Sequence, residues 1–67
     1  MAELTFKVPG MTAGNGAKAI TRTIRRLNGV TAVEVDLHTG WVVVVADRID
    51  TDAIRAAVDE AGYSAEI

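Results

Sequence analysis

Few side chains in this 67-residue sequence can do chemistry beyond carrying charge. There is no cysteine, and His38 and Ser64 are each the only residue of their type. Disulfides, thiolate metal sites and a cysteine nucleophile are therefore excluded together. Ser64 has no recognisable orienting base, and no paired carboxylates mark a pocket, so an enzyme is not expected and no catalytic residue is assigned. His38 lies in a polar turn; a metal needs several convergent ligands, so it reads as a solvated turn residue, with a weak site shared with Met11 as the sharper alternative. Gly14, Gly16 and Lys18 at a helix start suit an anion, because exposed N–H groups there favour negative charge. Their spacing fits neither G-x-x-x-x-G-K-[ST] nor G-x-G-x-x-G, and loop glycines account for them without a ligand.

The elements that must position these residues follow from periodicity. Leu4, Phe6 and Val8 alternate with Thr5 and Lys7, the mark of a half-buried strand, until Pro9-Gly10 stops it. Met11 to Gly16 reads as a loop. Ala17, Ile20, Ile24 and Leu27 then recur on one helix face, and Asn28-Gly29 supplies a stop, which predicts a first helix over 14–28. Val33, Val35 and Leu37 alternate, His38-Thr39-Gly40 turns the chain, and Trp41 to Val45 resumes, giving a hairpin. Four consecutive valines suit a central strand. Asp50 or Thr51 can cap a second helix over 51–61, with Ile54, Ala57, Val58 and Ala61 as its stripe. Tyr63, Ala65 and Ile67 alternate again as a short last strand.

The order βαββαβ with right-handed crossovers puts both helices on one face of a four-stranded antiparallel sheet, the ferredoxin-like α+β arrangement. Loop 9–16, turn 38–40 and the turn at Gly62-Tyr63 then share one end of the sheet. Residues 1–67 form a single domain, since the chain is shorter than the usual ~100–200 residues. With 11 Ala and 9 Val against one Phe, one Trp and one Tyr, the core is built from small side chains, and its stability should be about 3–5 kcal/mol. Mean hydropathy of +0.21 and a net charge of −2 are those of a folding chain rather than a disordered one. No apolar run approaches the ~20 residues that span a bilayer, so no membrane insertion is expected and a cytoplasmic monomer is the natural setting. A pI near 5.1 argues against nucleic-acid binding through net charge.

Several segments together resemble a known family. The run Phe6-Lys-Val-Pro-Gly-Met-Thr-Ala-Gly-Asn-Gly-Ala-Lys18 is similar to the start of the heavy-metal-associated domain, whose loop reads G-M-T/x-C-x-x-C before its first helix. Leu27-Asn-Gly-Val30, Val33-Glu-Val-Asp-Leu37, the Val42 to Val45 strand and Ala61-Gly-Tyr63 resemble its remaining landmarks, in order, over nearly the whole chain. The resemblance implies a bacterial-type copper chaperone or one domain of a metal-transporting ATPase. In that family the two loop cysteines bind Cu(I) or another soft cation, because soft metals select sulfur. Here those positions are Ala13 and Gly16, which can ligate nothing. No cofactor is expected in this form, whereas cysteines at positions 13 and 16 would be expected to bind Cu(I) or another soft metal. By the same resemblance Met11 is a core plug beneath the loop and Tyr63 packs beside it.

Lys18, Arg22, Arg25 and Arg26 fall on the first helix opposite its apolar stripe, with no acidic residue between them. Such a stripe is either a solvated face or a docking surface. The resemblance implies docking, weak and transient, on an acidic domain of a metal-transporting P-type ATPase or on a homologous domain. The expected function is thus a metal-trafficking fold whose metal site has been lost; the alternative is a metal-independent interaction or scaffold module.

Overall fold

The computed structural model describes residues 1–11 and 14–67. Alternation builds strand β1 over Ala2–Lys7, and helix α1 follows over Gly14–Arg25. Strands β2 (Val30–Val35) and β3 (Trp41–Ala46) form the hairpin, and helix α2 covers Thr51–Glu60. The sheet order is β1-β3-β2, antiparallel throughout, so the valine-rich strand is central as its sequence predicts. Register explains the layers: Val42 stands between Phe6 and Val35, and Val44 between Leu4 and Val33. These residues share one face, since strand side chains alternate. Ile20 and Ile24 of α1, and Ile54, Ala57 and Val58 of α2, close over that face to complete the core.

Asp50 accounts for where α2 begins. Its backbone is extended and its carboxylate accepts from the Ala53 N–H at 3.1 Å, which satisfies one of the orphan donors of the first turn. Asp52 adds negative charge at the same positive end. At the other helix, α1 ends at Arg25, three residues earlier than the apolar spacing predicts. The Leu27 N–H turns back to the Ile24 carbonyl at 3.0 Å, and Gly29 takes a φ of 86°. Leu27 still packs on the core from this turn. The apolar period therefore outlasts the helix, because a turn can direct a side chain to the same surface.

Among the described residues the sheet has three strands, and the fourth expected over Tyr63 to Ile67 is represented by a bridge. Among those residues one isolated bridge joins the tail to the sheet, with the Glu66 N–H donating to the Lys7 carbonyl at 2.7 Å. In that register the next pair would set Ser64 against Pro9, which has no N–H to give. Tyr63 and Ala65 nevertheless lean on the core. Their alternation reflects packing without a ladder.

Gly10 and Gly40 share a φ of 81°, where a side chain is strained. A Cβ at Gly10 would meet nothing within 4 Å, whereas at Gly40 it would stand 3.1 Å from the Val8 carbonyl oxygen. Each glycine-to-alanine change should cost about 1–2 kcal/mol from the left-handed backbone alone. Gly40→Ala should exceed Gly10→Ala by the added contact, as urea denaturation of the two variants will show; equal losses would mean that the close approach carries no energy.

Candidate functional site

Three chain segments converge at one end of the sheet. The Val8 N–H donates to the Gly40 carbonyl at 2.9 Å and locks the start of the first loop onto the hairpin turn. That turn is held by Asp36, whose Oδ1 accepts from the His38 N–H at 2.9 Å, while the Gly40 N–H donates to the Asp36 carbonyl at 2.8 Å. The third segment leaves α2 through Gly62 at φ 92°, with the Tyr63 N–H returning to the Val58 carbonyl at 3.2 Å. This carries the Tyr63 ring across the first turn of α1.

Gly16 is where these pieces meet. It is buried, and a Cβ built on it would run into the Tyr63 hydroxyl, stand 2.9 Å from Tyr63 Cζ and lie 3.4 Å from Met11 Cγ. Met11 itself is 2 % exposed and belongs to the core cluster, so its thioether is committed to packing. Position 16 thus lacks a ligating side chain and also the space in which one would begin, unless the ring swings away. Ala13 lies outside the described residues; alanine offers no donor wherever it stands. His38 is exposed in its turn, and among the described residues no group of three or more His, Cys, Asp or Glu could hold a metal. The residues present do not fit a soft metal ion.

The four cations divide. Lys18, Arg22 and Arg25 are exposed along α1. Arg26 lies past the helix end and reaches Glu60 of α2 at 3.7 Å, both side chains about two-thirds exposed. Such a pair contributes only about 0.2–1 kcal/mol. Two features escape a reading of periodicity. Trp41 is 46 % exposed on the open face of the sheet, with Lys7 Nζ 6.0 Å from its ring centroid. The packing of Tyr63 on Gly16 is the other; the family resemblance places Tyr63 beside the loop, and the local signal is a glycine where a helix would favour almost any other residue.

That packing has a measurable signature. Replacing a helix glycine by alanine ordinarily gains up to about 1 kcal/mol, whereas overpacking costs about 1–3 kcal/mol. Gly16→Ala should therefore fail to stabilise the native chain, yet should stabilise one that also carries Tyr63→Ala. A double-mutant cycle by urea denaturation should return a coupling of at least about 1 kcal/mol; additive effects would mean that the ring and position 16 are independent.

The model of the heavy-metal-associated domain family matches residues 5–64. The copper chaperone CopZ of Bacillus subtilis (strain 168) is 35% identical over 65 residues, covering 94% of each chain. A zinc/cadmium/lead-transporting P-type ATPase of Shigella sonnei (strain Ss046) is 37% identical over 60 residues, 90% of this chain but 8% of that protein. Among solved structures, a chain of the Atx1-Cu(I)-Ccc2a complex superimposes with a TM-score of 0.84 at 30% identity, covering 97% of this chain and 92% of that one. With the family model matching most of the chain, the chain belongs to the heavy-metal-associated domain family, as a member without cysteine.

Proposed function

We propose that this domain works in metal trafficking through partner docking and carries no metal itself. The observation that supports this most directly is Gly16, a ligand position without a ligand, roofed by Tyr63. The surface beside it keeps a uniform positive sign at Lys18, Arg22 and Arg25, while Arg26, the fourth cation of the expected stripe, is paired with Glu60. The partner is an acidic domain of a metal-transporting P-type ATPase, or a homologous domain. Support comes from the match to an ATPase segment and from the relative solved in complex. No helix among the described residues is long and apolar enough to cross a membrane, and the encounter takes place in the cytoplasm, with the domain acting as a single monomeric unit. Exposed charge pairs contribute only about 0.2–1 kcal/mol each, so the stripe speeds and orients encounter more than it tightens the complex.

Loss of the metal role is tested by competition with a Cu(I)-selective chelator. The native chain should surrender all copper, and stoichiometric retention would overturn the proposal. The A13C/G16C variant should take up Cu(I) under reducing conditions, since the start of α1 favours thiolate. Tyr63 must then move, so its ring resonances should shift strongly on the double substitution, before any metal is added.

Docking is tested by NMR titration with the cytoplasmic metal-binding domain of such an ATPase. Shifts should cluster on α1 and should fade as ionic strength rises from 0.1 to 1 M, over which the Debye length falls from ~10 to ~3 Å. The R22E/R25E variant should keep its fold and lose most of the shifts. Contacts mapped to α2, or binding indifferent to salt and to charge reversal, would leave the stripe as a solvated face.

A further inference from the structure

The hydrogen bonds at the strand ends fix which backbone groups face out of the sheet. The Asp36 N–H donates to the Trp41 carbonyl at 2.9 Å, so the backbone of residue 36 addresses β3. Successive residues of a strand direct N–H and C=O to alternate sides. Glu34 and Ala32 therefore also face β3, while Val33 and Val35 present both groups outward. The other side of β3 agrees: the Val8 N–H donates to the Gly40 carbonyl, so residues 42, 44 and 46 serve β1, and 41, 43 and 45 serve β2. On β1 the outward groups belong to Glu3, Thr5 and Lys7, and the Lys7 carbonyl already accepts from Glu66. β2 has no such cover: among the described residues, no backbone group beyond its own sheet bonds to Val33 or Val35. An open edge of this kind is a template for pairing.

What lies beside the edge gives it a preference. Ala17, Lys18, Thr21 and Arg22 of α1 form one wall of an open groove of about 440 Å³, and Val35 forms the other. A residue added opposite Val33 or Val35 would project its side chain to the same face as theirs, and the one opposite Val35 would enter this groove. Its stem would meet Ala17 and Val35, and its tip would meet two cations. On the opposite face the alternate side chains of an added strand would lie beside Ala32 and Glu34, and Glu34 repels acids there.

We propose that the edge of β2 captures an extended acidic segment of a partner protein as an added strand. Glutamates at every second position project to this face, with the one opposite Val35 in the groove between α1 and β2; their backbones pair with Val33 and Val35, and uncharged residues occupy the positions between. This is strand addition, in which main-chain bonds give affinity and alternate side chains give specificity. It rests on the docking role of α1 proposed above and names the form of the partner.

The test uses the full chain and an end-capped heptapeptide of alternating Thr and Glu. Binding should slow amide exchange at Val33 and Val35 and should be lost in the K18E/R22E variant, whose substituted side chains are exposed and whose circular dichroism should not change. Two N-methylated peptides decide the mode. Methylating the three glutamate nitrogens removes the N–H groups that would face β2 and should weaken binding roughly tenfold or more, since each bond contributes about 1 kcal/mol. Methylating the interior threonine nitrogens touches only the far side and should leave binding within about twofold. If all three peptides bind alike and salt releases them, strand addition is overturned while the charged docking face stands. If none binds, strand addition is overturned, and the ATPase-domain titration still reports on α1 independently. Protection of the same amides that grows with protein concentration and needs no peptide would assign the edge to a second copy of this chain and overturn the proposal.

Discussion

Val42 and Val44 are the pivot of this small fold. Both are fully buried on the central strand, each opposite one residue of β1 and one of β2, and both helices close over them. The described residues of this 67-residue chain form one buried cluster, so its loosening would be felt throughout the fold. Phe6 joins the valines as the one aromatic side chain of this buried cluster. No polar or charged side chain is buried among the described residues, so the core has no desolvation cost to offset. Everything that could serve function is accordingly pushed to the ends and edges.

Glycine and tyrosine then decide the character of the loop end. In a member of this family that binds a soft cation, thiolates would have to project from the loop and remain accessible. Here Met11 and Tyr63 close on Gly16 from two sides, and apolar contact replaces what metal coordination would supply. The replacement asks little of the fold, because the core beneath relies on no metal, unlike small domains that stay unfolded until one binds. A cysteine-free loop and this fold are therefore compatible in one chain.

The sequence carries the central strand, both helices, the hairpin and the cap at Asp50 in local patterns: alternation, a 3.6-residue period, a Gly turn, an Asp before an apolar stripe. What it misreads has a common cause. Leu27 and Tyr63 to Ile67 have the periodicity of elements, yet they meet the core from a turn and from a singly bridged tail, because burial alone creates the period. The contact between Tyr63 and Gly16 joins residues 47 positions apart, and no local pattern encodes it. The absence of cysteine is read directly from the sequence; the closing of Tyr63 and Met11 on Gly16 is legible only as the resemblance that sets Tyr63 beside the loop and Met11 beneath it. The basic stripe was legible as charge, but Arg26 is drawn off by Glu60, a partner that only the packing of α1 on α2 brings near.

The strand order separates the two consequences. A three-stranded sheet with β3 in the middle must leave two margins, and the tail engages only the β1 margin, at Lys7. The margin left uncovered runs beside α1, the helix whose outward side carries Lys18, Arg22 and Arg25. Unpaired backbone groups supply direction and register but no selectivity; a row of cations supplies selectivity but little affinity in water. Placed side by side they complement each other, since an extended chain held by its backbone brings its carboxylates to the cations at fixed spacing. The closed loop at the end of the sheet is not needed for such a contact. In this fold the loop end and the β2 margin are built from different elements, so the proposed docking does not depend on what the loop carries.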